Sequence, residues 1–365
     1  MIGIAKETRP GETRVAGTPD SVKKLIKKGH QVQVARGAGE QAGYSDAAYE
    51  AAGAKLIDPA AALGSEVVLK ILKPSPDEIL QMKKGAILLA LLEPYNNDGT
   101  LAKLAEMGVS ALAMELIPRT SRAQSMDVLS SQAGIAGYRA VIEAAAHYGR
   151  MFPMVMTSAG SVKACKLAVL GVGVAGLQVI ASARRMGAMV EAYDVRQEVQ
   201  EQIRSLGAKV IELQLGEEGS GSGGYAKELS AGAQQRQQQA LAEKLKKFDI
   251  VISTANIPGR KSPVLILEDA VKGMRQGSVI VDMAAANGGN CPLSEPGKVV
   301  VKHGVVIVGL ANFAALVPAD ASSFFAQNLV NLVDILNDPQ GQLNMQDDIV
   351  AAALATHKGE ICRRQ

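Results

Sequence analysis

Gly171-Val172-Gly173-Val174-Ala175-Gly176 is a GxGxxG run set between an apolar strand-like segment, KLAVL, and a helical one, LQVIASARR. Each glycine has a task in that setting. Gly171 permits the tight turn, Gly173 lets the backbone approach a pyrophosphate, and Gly176 lets the helix pack close to the strand. The helix N-terminus offers free N–H groups and a favourable dipole to the phosphates. The next strand-like run, MVEAYD, ends in Asp194, 18 residues after Gly176. An acid at that offset accepts hydrogen bonds from the adenosine ribose hydroxyls and repels a 2′-phosphate, which favours NAD(H) over NADP(H). Arg196 is a complication, since a nearby Arg can serve a 2′-phosphate. An ordinary glycine turn with a surface Asp is the bland alternative. Strand, glycines, helix and acid together point instead to dinucleotide binding.

A second group of polar residues lies in PRTSRAQSMDVLSSQ (118–132), between a buried strand and a long helix. It contains Arg119, Arg122, Gln124, Asp127 and Ser130. Two readings stand side by side. Ser121-x-x-Gln124 fits a capping box, with Asp127 complementing the dipole in the first helical turn. Alternatively, Gln124, Asp127 and Ser130 line an interdomain cleft and orient a nicotinamide amide, Asp127 and Ser130 sharing a helix face. The four histidines (His30, His147, His303, His357) sit in no catalytic-looking motif. Dehydrogenation of an alcohol or amine moves a proton as well as a hydride, usually through His, Lys or a carboxylate. Hydride transfer between two nicotinamides needs no acid–base group, and the missing proton carrier hints at that chemistry.

The elements that must position these residues form two series. Strands are expected at GIA near residue 4, QVQVA (31–35), KLI (55–57), EVVLKIL (66–72), AILLALL (86–92) and ALAMELI (111–117). Helical patterns separate them, and buried parallel βαβ units follow. One long helix is expected over Ser125–Tyr148. The second series runs through KLAVLG (166–171), MVEAYD (189–194), KVIEL (209–213), DIVIST (249–254), SVIVDMA (278–284) and GVVIVG (304–309). Helices at 322–336 and 347–360 end the chain and are expected to return to the first domain. The fold class is α/β: two Rossmann-like doubly wound parallel-sheet domains joined by long helices. The division is placed at 1–130 with 322–365, and 131–321. GEEGSGSGGY (216–225), before the Gln-rich QQRQQQ (234–239), reads as a solvated loop or a mobile lid.

Composition excludes several classes. The 365 residues suit about two domains. Basic residues number 39 against 36 acidic, and aromatics are 3% with no Trp, so neither an electrostatic stripe nor a stacking platform invites nucleic acid. Three scattered cysteines (Cys165, Cys291, Cys362) form no CxxC and have no nearby His at metal-ligand spacing, so no metal is expected and a reducing compartment fits. The charged N-terminus does not read as a signal peptide. The apolar run 167–183 is short for a span and is explained by its three glycines, so no direct membrane insertion is expected.

Taken together, IPRTSRAQSMDVLSSQAGIAGYRAVI, VLGVGVAGLQVIA, YDVR, GGYAKEL and GGNCPLSEPGKVVVKHGV closely resemble the NAD(H)-binding alpha subunit (domain I) of proton-translocating NAD(P) transhydrogenases. The resemblance runs from GETRVAGTP nearly to the end. It implies NAD(H) in a cleft, a homodimer, hydride transfer to NADP(H) on the domain III of a beta subunit, and coupling to proton movement through a membrane-spanning subunit. It places the chain on the cytoplasmic face of the membrane through those partners. By the same resemblance Arg119, Gln124, Asp127 and Ser130 contact the nicotinamide. Gly171, Val172, Gly173, Val174 and Gly176 with Asp194, Val195 and Arg196 hold the rest of the nucleotide. Gly224 and Tyr225 belong to a mobile loop that closes over it, and Gln237 is cofactor-proximal. Two stretches depart from the family: Asn256 precedes Ile-Pro-Gly, near an adenine contact, and Ala314-Ala315-Leu316 replaces Pro-Ser-Arg at a subunit contact.

Two competing readings remain. Alanine dehydrogenases share the architecture but need a substrate-binding Lys after the fourth strand and a His after the fifth. Here LKILKP puts Leu72 at the Lys position, and no His occurs between His30 and His147. Lys70, Lys73 and Arg14 are the cations left to bind a carboxylate. A non-catalytic NAD(H)-sensing subunit is the other reading.

Overall fold

A computed structural model describes residues 1–96, 98–216, 229–257 and 259–362. The chain divides into two compact units, 1–132 with 314–365, and 133–313. The first unit opens with β1 (Ile2–Ile4), α1 (Pro19–Lys27), β2 (Val32–Ala35), α2 (Asp46–Ala51), β3 (Lys55–Ile57), α3 (Pro59–Leu63), β4 (Val67–Leu72), α4 (Pro76–Leu80), β5 (Ile87–Leu91), α5 (Thr100–Glu106) and β6 (Ser110–Ala113). Then comes α6 (Val128–His147), within which the division falls.

The second unit continues with a hairpin of β7 (Val155–Thr157) and β8 (Gly160–Val162). Its main elements are β9 (Lys166–Leu170), α7 (Val174–Arg185), β10 (Met189–Tyr193), α8 (Gln200–Ser205), β11 (Lys209–Val210), α9 (Ala231–Leu245), β12 (Ile250–Ser253), α10 (Glu268–Gly273), β13 (Val279–Asp282), β14 (Val299–Lys302) and β15 (Val305–Val308). The chain returns to the first unit as α11 (Pro318–Leu336), α12 (Asp348–Ala353), β16 (Leu354–His357) and β17 (Glu360–Ile361). The return begins at 314, ahead of the expected 322, because the turn before α11 is tied into the first unit: the Thr13 hydroxyl donates to the Ala315 carbonyl.

Both sheets are doubly wound. The second unit orders its strands β11-β10-β9-β12-β13-β15-β14, parallel except for the β14–β15 edge. The first orders them β17-β16-β6-β5-β4-β1-β2-β3, with β16 and β17 antiparallel at one end. Both faces of each sheet are buried, which is why the strands read as unbroken apolar runs rather than alternating ones. Leu167 and Val169 of β9 join a core with Val179 and Ile180 of α7. Ala168 and Leu170 join the opposite core with Leu241 and Leu245 of α9. Aliphatic side chains do most of this filling, as the scarcity of aromatics requires.

Several expected elements end early. ALAMELI is strand only to Ala113 and then a 3-10 turn, Met114–Leu116. That turn brings the Glu115 carboxylate to the N–H groups of Leu92 and Glu93, at 3.1 and 2.7 Å. The helix expected from Ser125 begins at Val128, after a 3-10 turn at Gln124–Met126. KVIEL contributes only Lys209–Val210. The helix expected over 347–360 stops at Ala353, because the following residues pair with β6 and fold back at Lys358-Gly359. Both turn residues have positive φ, +49° and +85°, the geometry of a tight hairpin turn. No helix among the described residues is long and apolar enough to cross a membrane.

Candidate functional site

In the second unit the strand order reverses beside β9, whose neighbours are β10 and β12. Open α/β sheets take ligands at the carboxyl ends of strands at such a point. Residues 171–176 occupy it.

The three glycines differ in what requires them. Gly171 has φ +91°, and a Cβ there would come within 2.9 Å of the Ala255 nitrogen. Its carbonyl accepts from the Thr254 hydroxyl at 2.9 Å, which pins the turn to the end of β12. A Cβ on Gly176 would lie 2.1 Å from the Gly171 oxygen, so the close approach of α7 to the turn demands glycine. Gly173, the N-cap of α7, has an ordinary φ of −82°, and a Cβ there would meet no atom of the described residues within 4 Å. Among the described residues, neither packing nor backbone conformation requires glycine at 173. The open space in front of it, at the N-terminus of a 12-residue helix, is where a phosphate needs room. Val174, the first residue of that helix, is exposed.

Asp194 follows β10 directly. Its Oδ2 accepts the Val172 N–H at 2.7 Å, which joins the acid to the glycine turn. Arg196 folds back on it, donating from Nε to Oδ1 at 2.9 Å and from Nη2 to Oδ2 at 3.0 Å. The hydrogen bond to Asp194 holds the Arg196 guanidinium above its ordinary range. Val195, between them, is half-buried against the core. Gln237 is buried in α9 and donates to the Tyr193 hydroxyl at 2.8 Å, bracing the end of β10. The Gln-rich run is therefore helical, with one Gln turned into the core. Asn256 is exposed, and its amide oxygen accepts from Ser262 at 3.0 Å and Asn287 at 2.6 Å. Gly224 and Tyr225 lie outside the described residues.

In the first unit the polar segment resolves into a cap. Asp127 accepts the Ser130 N–H at 2.9 Å and the Ser130 hydroxyl at 2.6 Å, so Asp127 caps α6 and Ser121-x-x-Gln124 does not. The reason is the 3-10 turn at Gln124–Met126, which delays the helix start. Gln124 and Arg119 are exposed, while Asp127 and Ser130 are half-buried. Arg122 pairs with Asp347 and Asp348 at the start of α12.

Three groups escaped the sequence reading. Thr254 locks the glycine turn, as described. Asp282, fully buried at the end of β13, accepts the N–H groups of Ala284, Asn290 and Cys291 at 3.0–3.1 Å and the Ser294 hydroxyl at 2.7 Å. It holds the loop that carries Asn287. Gln132 bridges the Arg14 guanidinium, at 2.8 Å, and the Ala321 carbonyl, at 3.0 Å. An acid at the end of a parallel strand was the only available signal for Asp282, and none marked the other two.

The three cations left for a substrate carboxylate are all engaged within the chain. Arg14 is buried in a bidentate pair with Glu12. Lys70 lies 3.4 Å from Glu7 and 3.1 Å from Glu78. Lys73 pairs with Glu93 and Asp98. The histidines are likewise in ordinary contacts: His303 with Glu268, His357 with Ser110, and His147 near Glu143. Burial pushes His30 down. Among the described residues no cluster of His, Cys, Asp and Glu could hold a metal ion.

Comparison with known proteins is consistent along the chain. The family model for the alanine dehydrogenase/PNT N-terminal domain matches residues 3–136, and that for the C-terminal domain matches 140–364. An NAD(P) transhydrogenase alpha subunit of Rhodospirillum rubrum is 47% identical over 372 aligned positions, covering 99% of this chain and 97% of that one. The crystal structure of a transhydrogenase from Sinorhizobium meliloti superposes with a TM-score of 0.90 at 46% identity, covering 98% and 99% of the two chains. An L-alanine dehydrogenase structure gives a TM-score of 0.84 at 26% identity, covering 99% and 96%.

Proposed function

The chain belongs to the alanine dehydrogenase/PNT family, among the alpha subunits of NAD(P) transhydrogenase, and on that premise we propose that it binds NAD(H) for direct hydride exchange with NADP(H) on a separate subunit. The observation that carries the binding site is Gly173, a glycine that nothing among the described residues requires, facing space open of them at the N-terminus of α7. When bound, NADH supplies the hydride. The N–H groups at the start of α7 hold the pyrophosphate, and Asp194 meets the adenosine ribose. Gly224 and Tyr225, which lie outside the described residues, complete the nucleotide contacts in this reading. Gln124, Asp127, Ser130 and Arg119 orient the nicotinamide amide. Asp127 and Ser130 are already fixed by their mutual hydrogen bonds, so ordering them costs little on binding. Their work is positioning and water exclusion, the terms that dominate where no proton must move.

The partners in this reading are a second copy of the chain, an NADP(H)-binding beta subunit and a membrane-spanning subunit that couples hydride transfer to proton translocation. The chain then works on the cytoplasmic face of the membrane. An amino-acid oxidoreductase is disfavoured, because Arg14, Lys70 and Lys73 are each paired with carboxylates of the chain itself. The test is Gln124→Asn in single-turnover hydride transfer from NADH to NADP on the separately supplied beta-subunit domain. Gln124 is exposed, so stability should not change. The rate should fall at least about ten-fold, about 1.4 kcal/mol of barrier, with NADH affinity little altered. An unchanged rate removes Gln124 from the reaction. Turnover of alanine or pyruvate by the chain would replace this reading with the dehydrogenase one.

A further inference from the structure

The Asp194 carboxylate accepts four hydrogen bonds from its own chain, one of which a ribose hydroxyl replaces on binding. A carboxylate offers about four lone-pair sites. Oδ1 takes the Arg196 backbone N–H and Nε, both at 2.9 Å. Oδ2 takes the Val172 N–H at 2.7 Å and Arg196 Nη2 at 3.0 Å. Nη2 also donates to the Val172 carbonyl at 3.2 Å, so the guanidinium spans both the acid and the glycine turn. The Arg196 and Asp194 side chains are nearly buried, 10% and 7% exposed.

Two residues with opposite preferences therefore sit in one contact. An acid after the second strand selects a 2′-hydroxyl, and an Arg beside it selects a 2′-phosphate. We propose that Asp194 and Arg196 act as a single specificity element, in which the acid sequesters a guanidinium that is otherwise placed to bind a nucleotide 2′-phosphate. The inference rests on the nucleotide-binding reading and adds a mechanism of discrimination to it. Asp194 rejects the 2′-phosphate in two ways, by its own charge and by occupying a nearby cation that would neutralise the phosphate. Arg–phosphate contacts are bidentate and charge-assisted, so releasing Arg196 should yield a gain of binding and not merely the loss of a repulsion.

The experiment is titration of the purified full chain with NADH and with NADPH. It compares wild type, Asp194→Asn, Asp194→Ser, Arg196→Gln and the double variant Asp194→Asn/Arg196→Gln, with melting curves for each. Both Asn and Ser keep an oxygen that can accept the Val172 N–H, so one covers for the other if folding suffers. Expected are an NADPH affinity raised about ten-fold in the Asp194 variants, loss of that gain in the double variant, and a gain that shrinks with added salt. Arg196→Gln alone should not improve NADPH binding. Equal NADPH affinity in Asp194→Asn and the double variant would overturn the proposal even if NADH binding stands. Failure of the wild-type chain to bind NADH would instead overturn the nucleotide-binding reading beneath it.

Discussion

Each unit of this chain reverses its strand order beside a central strand, β1 in the first and β9 in the second, and the two crevices are finished differently. After β9 come glycines, and the space before Gly173 is open. After β1 come Ala5, Lys6 and Glu7. Glu7 accepts the Ile71 N–H at 2.7 Å and faces Lys70, which also meets Glu78, while the Thr8 hydroxyl reaches Glu78 at 3.2 Å. Burial pushes the Glu7 carboxyl up, with Lys70 opposing. One topology thus supplies two candidate ligand crevices. Side chains close the first with the protein's own charges, and their absence keeps the second open. Topology alone assigns a place for a ligand; residue size and charge decide whether there is room.

The sharpest way to break this comparison is to strip the filled crevice. Lys70→Met leaves Glu7 and Glu78 buried without their cation and should cost about 3–5 kcal/mol of stability in denaturant unfolding. If unfolding is unchanged, the cluster is not the structural plug described. The open crevice can be damaged in packing instead. Gly176→Ala drives a methyl group into the Gly171 carbonyl and should cost about 1–3 kcal/mol, read in the same assay. A neutral result would mean α7 can shift away from the turn.

The smallest effect concerns the rim of the first crevice, where Asp98 is held at about 2: burial pushes it up, and the hydrogen bonds from Lys73 and the Thr100 N–H outweigh that. Its folded pKa lies below the ordinary 3.8, so its contribution is complete above that pH and is lost as pH falls toward about 2. The Asp98 side chain is 40% exposed, and solvent screening limits the contribution to under about 1 kcal/mol. Asp98→Asn should therefore lower the melting temperature slightly at neutral pH, and the difference should vanish near about pH 2. A difference that persists there would assign the effect to something other than charge.

Much of the second unit was legible because its signals are local and coincide. KLAVL, three glycines and an acid after the next strand each report on the same few ångströms of backbone. Both series of parallel strands were legible for the same reason, as apolar runs between helices. The misreadings share another cause, that long-range pairing overrides local pattern. DDIVAAALATHKGE has a helical look throughout, yet its second half turns into strand because β6 offers an unpaired edge. SVIVDMA announced a strand but not that Asp282 would gather four donors from the loop behind it. The Glu12–Arg14–Gln132 contact joins positions 118 residues apart, and nothing in either stretch foretells the other. At Asp127 the helix cap was legible only in part, since the Ser121-x-x-Gln124 pattern marked a cap that the 3-10 turn moved on to Asp127 and Ser130.

If the crevice at β9 is open because a nucleotide fills it, Gly173→Ala is the most direct probe. The new methyl meets no atom of the described residues, so the melting temperature should match wild type. NADH affinity, measured by calorimetric titration of both proteins, should fall about ten-fold or more, at least about 1.4 kcal/mol, because the methyl occupies the approach of the pyrophosphate. Unaltered NADH binding in a stable Gly173→Ala protein would contradict a nucleotide seated there.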